Sequence, residues 1–216
     1  MDCIDNFRNG MCEFDTLINY AKRNLSQISR YQLFIKVSIV LLSTKLEVFI
    51  EEFMEEHSTK MLREHTNISL PQDIKNEYLN RAVELITNQK KQNKKDLLFQ
   101  SLYILLRNTE CEISIVDNIK PQTSFSYGKH GQNEIESLFT KHGLGDFIKS
   151  TQSQNCLKII NSLISIRNNV IHQDASPGIT HQTIIDHKNN ILKFIDMLEQ
   201  ELDLNKQKYY NEISVL

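Results

Sequence analysis

The sequence predicts an all-α fold. Apolar residues recur at three- and four-residue spacing through most of the chain. Only six glycines and three prolines punctuate 216 residues, too few turn formers for a β-rich chain. Hydrophobic residues make up 40% and charged residues 24%, the balance of an ordinary soluble protein. A chain of 216 residues suits one domain with a full core. Its expected organisation is an N-terminal helix within 1–30, a core bundle over 31–205 and a tail at 206–216.

The elements follow in order. Met11, Phe14, Leu17, Ile18, Ala21, Leu25 and Ile28 form an apolar stripe, so a helix is expected from about Met11 to Ile28. Tyr31 to Glu64 reads as one long helix with at most one break. Its first half, Leu33 to Leu42, is apolar almost all round, which predicts a central buried helix. The second half turns amphipathic, with Leu46, Phe49, Ile50 and Phe53 inward and Glu51, Glu52, Glu55 and Glu56 outward. Glu47 stands at the edge of this stripe, either solvated or poised to pair with Arg167. Ser69-Leu70-Pro71 marks a helix start, with Ser69 as cap and Ile74, Tyr78, Ala82, Leu85 and Ile86 on its inner face.

Asn88 to Lys95 is the most basic run, readable as a solvated connection or as a grip on an RNA backbone. Asp96 then caps a helix whose Leu97, Leu98, Leu102, Leu105 and Leu106 read as core. Thr109 to Gly131 is irregular: Glu112 to Val116 alternates briefly, and Ser124, Phe125, Ser126, Tyr127, Lys129 and His130 cluster in a loop. Such a loop either packs on a helix or stacks a base. Asn133 to Phe139 is a short helix. Leu144 to Phe147 and Asn155 to His172 lead into a polar cluster. Pro177-Gly178 is a turn, and a closing helix from Thr180 or His181 turns Ile184, Ile185, Ile191, Ile195 and Leu198 inward. The tail from Lys206 is expected to fray.

Composition also excludes function classes. A formal net charge of -2 is wrong for a globally basic nucleic-acid binder, leaving room only for a local basic patch. Cys3, Cys12, Cys111 and Cys156 form no C-x-x-C pair and read as free thiols in a reducing cytosol. No charged-then-apolar leader opens the chain, and Leu33 to Leu42 is about half a bilayer span, so a cytoplasmic protein with no membrane partner is expected. His57/His65 and His181/His187 lack the i,i+4 spacing of paired helical ligands, and no glycine-rich phosphate loop occurs; no metal and no cofactor are expected.

The chemistry therefore falls to Ser165 to Asp174. On an unbroken helix Arg167 and His172 project about 140° apart, whereas Asn168 and His172 are i,i+4 neighbours. Either the Arg167 side chain swings round the helix, or a second copy completes the site across a two-fold axis. Arginine offers a planar fork for phosphate oxygens and histidine exchanges a proton near neutrality. Asn168 orients the imidazole or holds a substrate oxygen. Together they suit RNA cleavage without metal, the imidazole assisting the ribose 2′-OH while the guanidinium stabilises the phosphoryl charge. The bland alternative is a solvated Arg167 and a His172 that caps helix carbonyls.

Arg167-Asn168-Asn169-Val170-Ile171-His172 resembles the R-x4-6-H signature of the HEPN superfamily, in which a polar residue, often asparagine, follows the arginine. The earlier helix with Leu42, Leu46, Glu47 and Phe53 is similar to the long second helix of the RiboL-PSP and related MAE-type HEPN groups. The resemblance runs from about Gln32 onward. It implies a HEPN-like up-and-down helical bundle with extra helices, a metal-independent endoribonuclease, Arg167 and His172 as catalytic pair with Asn168 beside them, and a homodimer with a composite site. It further implies a toxin or defence effector held by an antitoxin or regulatory protein. In HEPN toxins of that kind a tyrosine usually follows the histidine by two positions, and here that place is Asp174, so control through that tyrosine is in doubt. Asp174 would instead hold His172. Two other functions fit the residues: a non-catalytic helical module that binds RNA or a protein, and a structural oligomerisation domain.

Overall fold

The computed structural model describes residues 1–64, 70–107, 119, 122–125, 131–173 and 178–213, with backbone alone at 62–64, 104–105, 107 and 205–213. Among the described residues every regular element is a helix: α1 (Asp2–Arg23), α2 (Ile28–Glu64), α3 (Gln72–Asn88), α4 (Gln92–Arg107), α5 (Gln132–Lys141), α6 (Gly145–Lys149), α7 (Thr151–Gln173) and α8 (His181–Ile213). The fold is all-α. Two compact units emerge, Met1–Phe49 with His130–Gln132 and Asp146–Leu216, and Ile50–Lys129 with Asn133–Gly145.

In the first unit α1 begins well before the expected Met11. Cys3, Ile4 and Phe7 continue the stripe of Met11, Phe14, Ile18 and Ala21 backwards, and all are buried. Asp2 and Asp5 in the first turn and Lys22 and Arg23 in the last complement the helix dipole. The helix also stops earlier than expected. The Asn24 N–H reaches back to the Ala21 carbonyl at 3.0 Å and Gln27 to Asn24 at 2.9 Å, turning the chain so that Leu25 and Ile28 end exposed rather than inward.

Helix α2 runs unbroken from Ile28. Its first half is not buried all round: Ile35, Ile39 and Leu42 are buried, but Leu33 and Val37 are exposed, as is Val48 beyond them. Hydropathy reported what these side chains are, not which side of the helix meets the core.

Helix α7 starts at Thr151, four residues before the expected Asn155, because Ser150 caps it: the Ser153 N–H donates to Ser150 Oγ at 3.2 Å. It packs on α8, which also packs on α1. Ile184, His187, Ile191, Phe194, Ile195 and Leu198 form the inner face of α8, while Ile185 is only half-buried. Arg8 on α1 joins Asp196 at 2.7 Å and Glu199 at 2.8 Å, and Lys188 joins Asp15 at 2.6 Å. Helix α8 extends into the expected tail, as far as Ile213.

In the second unit α3 and α4 pack together around Leu70, Ile74, Tyr78, Ala82, Leu98 and Ile119. Pro71 takes the N-cap position of α3 rather than its first turn, and Ser69 lies outside the described residues. Helix α4 starts at Gln92, so Asp96 is inside it and accepts from Gln92 Nε2 at 2.9 Å instead of capping. Leu97 and Leu106, expected in the core, are exposed, and the Leu105 side chain lies outside the described residues. Glu51, expected outward, is half-buried and accepts the Phe125 N–H at 2.9 Å. Glu112 to Val116, Tyr127, Lys129 and His130 lie outside the described residues.

A buried polar knot closes this unit. His142 is fully buried and donates from Nε2 to the Gln122 carbonyl at 3.1 Å, so its bare Nδ1 accepts the Ser58 hydroxyl. His57, stacked on Phe53, donates from Nε2 to the His142 carbonyl at 3.1 Å. Burial pushes the His142 imidazole below its ordinary pKa, with the Gln122 hydrogen bond working in the opposite direction. Gly143, at φ 78°, makes the turn that follows; an added Cβ would stand 3.1 Å from Ile74 Cδ1.

Candidate functional site

The inner face of α7 is set by Cys156, Leu157, Ile160, Leu163, Ile164 and Val170, all buried. Counting in steps of four and three along 156, 160, 163 and 170, the position missing from the stripe is 167. Arginine occupies it. Arg167 is accordingly half-buried, and its Nε is shielded from solvent with no hydrogen-bond partner among the described residues. A buried donor without an acceptor costs on the order of 1–3 kcal/mol.

The other end of the guanidinium is held. Arg167 Nη1 donates to Asn168 Oδ1 at 3.0 Å. Asn168 is half-buried and sits about 100° round the helix from Arg167 and about 40° from His172. The arginine fork is therefore drawn toward the face on which His172 stands. His172, in the last turn of α7, is exposed, and no ion pair holds it among the described residues. The helix stays regular to Gln173, so the angular separation expected of Arg167 and His172 is retained.

Of the remaining candidates, Glu47 lies half-buried on α2 with Oε1 shielded from solvent. Asp174 lies outside the described residues. The lysine run is placed by α3 and α4: Lys90, Lys91 and Lys94 are exposed and Lys95 is half-buried.

Two contacts of α8 were not foreseen. Tyr31 at the start of α2 accepts the His181 N–H at 2.9 Å and meets His181 Nδ1 at 3.3 Å, fixing the first residue of α8. His187, buried on α8, bonds to the Ile159 backbone of α7, and burial lowers its pKa. Partners 150 residues apart leave no local signal; for His187 the only hint is an imidazole one turn from Ile184 and Ile191 on an apolar face.

A family model described as RiboL-PSP-HEPN matches residues 11–204 of the chain. No curated protein and no solved structure matches it significantly.

Proposed function

This chain belongs to the RiboL-PSP-HEPN family, and from that premise we propose that it is an endoribonuclease that cuts RNA without metal. The observation that carries the reading is the state of Arg167: a guanidinium on the core stripe, one edge tied to Asn168 and its Nε lacking an acceptor, on the helix whose last turn exposes His172.

The chemistry follows from the donor set. The His172 imidazole removes the proton of a ribose 2′-OH, and the 2′ oxygen attacks the adjacent phosphorus. Charge growing on the non-bridging oxygens is met by the Arg167 fork. The bond to the 5′ oxygen breaks and that oxygen takes a proton, leaving a 2′,3′-cyclic phosphate on one fragment and a 5′-OH on the other. Asn168 holds the guanidinium at the angle from which it reaches the phosphate.

The angle of about 140° between Arg167 and His172 favours a homodimer, in which each site draws on the α7 ends of two copies. The exposed Leu33, Val37 and Val48 share one face of α2 in the same unit, a surface suited to a second copy. The biological setting that the family favours is a toxin or defence effector of the cytoplasm, controlled by an antitoxin or another regulatory protein.

The test is cleavage of total cellular RNA in excess EDTA by the wild type, Arg167→Ala and His172→Ala, matched for folding by circular dichroism. Cleavage by wild type alone, with cyclic phosphate ends, is the expected result. Cleavage surviving in both variants would overturn the assignment, and RNA binding without cleavage in all three would favour a non-catalytic binding module.

A further inference from the structure

The second unit carries a surface that this reading does not use. Helix α4 opens on Lys94 and Lys95, with Lys90 and Lys91 just before it. Four cations at the positive end of a helix add to its dipole rather than offset it, so they are not there for the stability of α4. Five cations elsewhere in the chain, Arg8, Lys45, Arg81, Lys141 and Lys188, each stand beside a carboxylate. None of the four lysines of this run forms an ion pair among the described residues. In a chain of net charge -2 these lysines form a local concentration of positive charge.

Aromatic rings continue the same face. Lys95, Phe99 and Tyr103 follow at steps of four, within a sector of about 80°. Phe99 is 52% exposed and Tyr103 55% exposed, although Leu98, next to Phe99 in the chain, is buried. The two rings stand about 6 Å apart along the helix axis, the order of one nucleotide step in an extended strand. An exposed phenylalanine and tyrosine in line with a lysine cluster present π-faces for bases and cations for the phosphates between them. A protein-binding patch is the poorer match, because lysine is depleted at the centre of such interfaces. A duplex is poorer too, since its bases are already stacked on one another.

We propose that the α4 face formed by Lys90, Lys91, Lys94, Lys95, Phe99 and Tyr103 is a binding platform for a single-stranded segment of the RNA substrate, its phosphates on the lysines and two bases on the rings. This rests on RNA being the substrate, and it adds a contact carried by other residues than those of α7. The platform acts on binding, so its loss raises KM for long RNA and leaves kcat in place.

The experiment uses the His172→Ala chain, which keeps the RNA intact, and fluorescence anisotropy with a labelled oligouridylate of about twelve nucleotides, inside the usual single-strand site size. A blunt RNA duplex serves as the second probe. Phe99→Ala/Tyr103→Ala is expected to weaken the single strand by roughly tenfold or more and the duplex much less. Replacing the four lysines with glutamine lowers the slope of log affinity against log salt by roughly 2–3. Both variants change exposed side chains, and melting curves confirm that the fold is retained. Unchanged single-strand affinity in both variants overturns the platform, while cleavage by the wild type in EDTA would still uphold the nuclease. A parent chain that binds neither probe also overturns it and leaves the lysine face to a protein partner. Binding lost in the variants alongside a wild type that does not cleave keeps the platform and removes the nuclease.

Discussion

Two histidine-centred polar groups sit on helices of this chain, and they are built on opposite principles. Around His142 every described valence is met: one ring nitrogen donates to a carbonyl, the other accepts a hydroxyl, and a second histidine donates to the His142 carbonyl. Around Arg167 and His172 the accounts stay open, with an orphaned Nε at one residue and an exposed imidazole at the other. A buried polar group with all its partners stiffens and specifies a core. One that lacks a partner beside the solvent is a place where a ligand finishes the structure. The contrast is one of hydrogen bonding as well as burial, and the role proposed for His172 is what the following experiments test.

The largest expected effect breaks the comparison at its open end. Arg167→Ala and His172→Ala each lower RNA cleavage by roughly a thousandfold or more, measured as initial rates on a labelled oligonucleotide, while the melting temperature stays level or rises for Arg167→Ala as the orphan donor is removed. A comparable fall in melting temperature would assign these side chains to the core instead.

At the closed end the outcome reverses. His142→Ala leaves the Ser58 hydroxyl and the Gln122 carbonyl unpaired and opens a cavity, which costs about 3 kcal/mol. Urea titration should show that loss, with cleavage by the remaining folded protein unchanged. Asn168→Ala is intermediate: the guanidinium loses its tether, and cleavage falls about ten- to a hundredfold with little loss of stability.

Acidification sharpens the same contrast. Burial holds the folded pKa of His142, and that of His187, below the ordinary 6.5. The unfolded chain therefore binds protons that the folded chain refuses as the pH drops through 6.5 toward the depressed values. The stability from these neutral imidazoles is complete above that range and lost as pH falls within it. Urea midpoints at pH 7.5 and 5.5 should differ in that direction, and the difference should shrink in His142→Gln. The smallest effect belongs to the exposed pairs of Arg8: Asp196→Asn should change stability by less than about 1 kcal/mol.

The fold class was legible because a helix advertises itself in the period of its own residues. The stripe of α7 put Arg167, Asn168 and His172 on one helix end before any coordinates were known, and the family match covers that segment. What a period does not carry is the partner. Leu33, Val37, Leu97 and Leu106 look like core because they are apolar, yet each points away from its unit's interior. The role of His142 depends on Ser58, 84 residues away, and leaves no local trace. The early start of α1 has a trace, since Cys3, Ile4 and Phe7 hold the spacing of its stripe. The orphaned Nε of Arg167 had a sequence trace as well: a charged residue standing in an apolar register.

The straps between α1 and α8 bear on timing. Arg8 meets its carboxylates across 188 residues of chain, and the α7 stripe is buried only once α8 lies against it. Contacts of such sequence separation form late, after the intervening chain has been ordered. During synthesis on a ribosome, α7 therefore emerges with its apolar face uncovered and its arginine unplaced, and it gains its folded geometry only after α8 has followed. Under the ribonuclease function proposed above, that order keeps the chain inert through most of its own translation, when the messenger and ribosomal RNA beside it are closest.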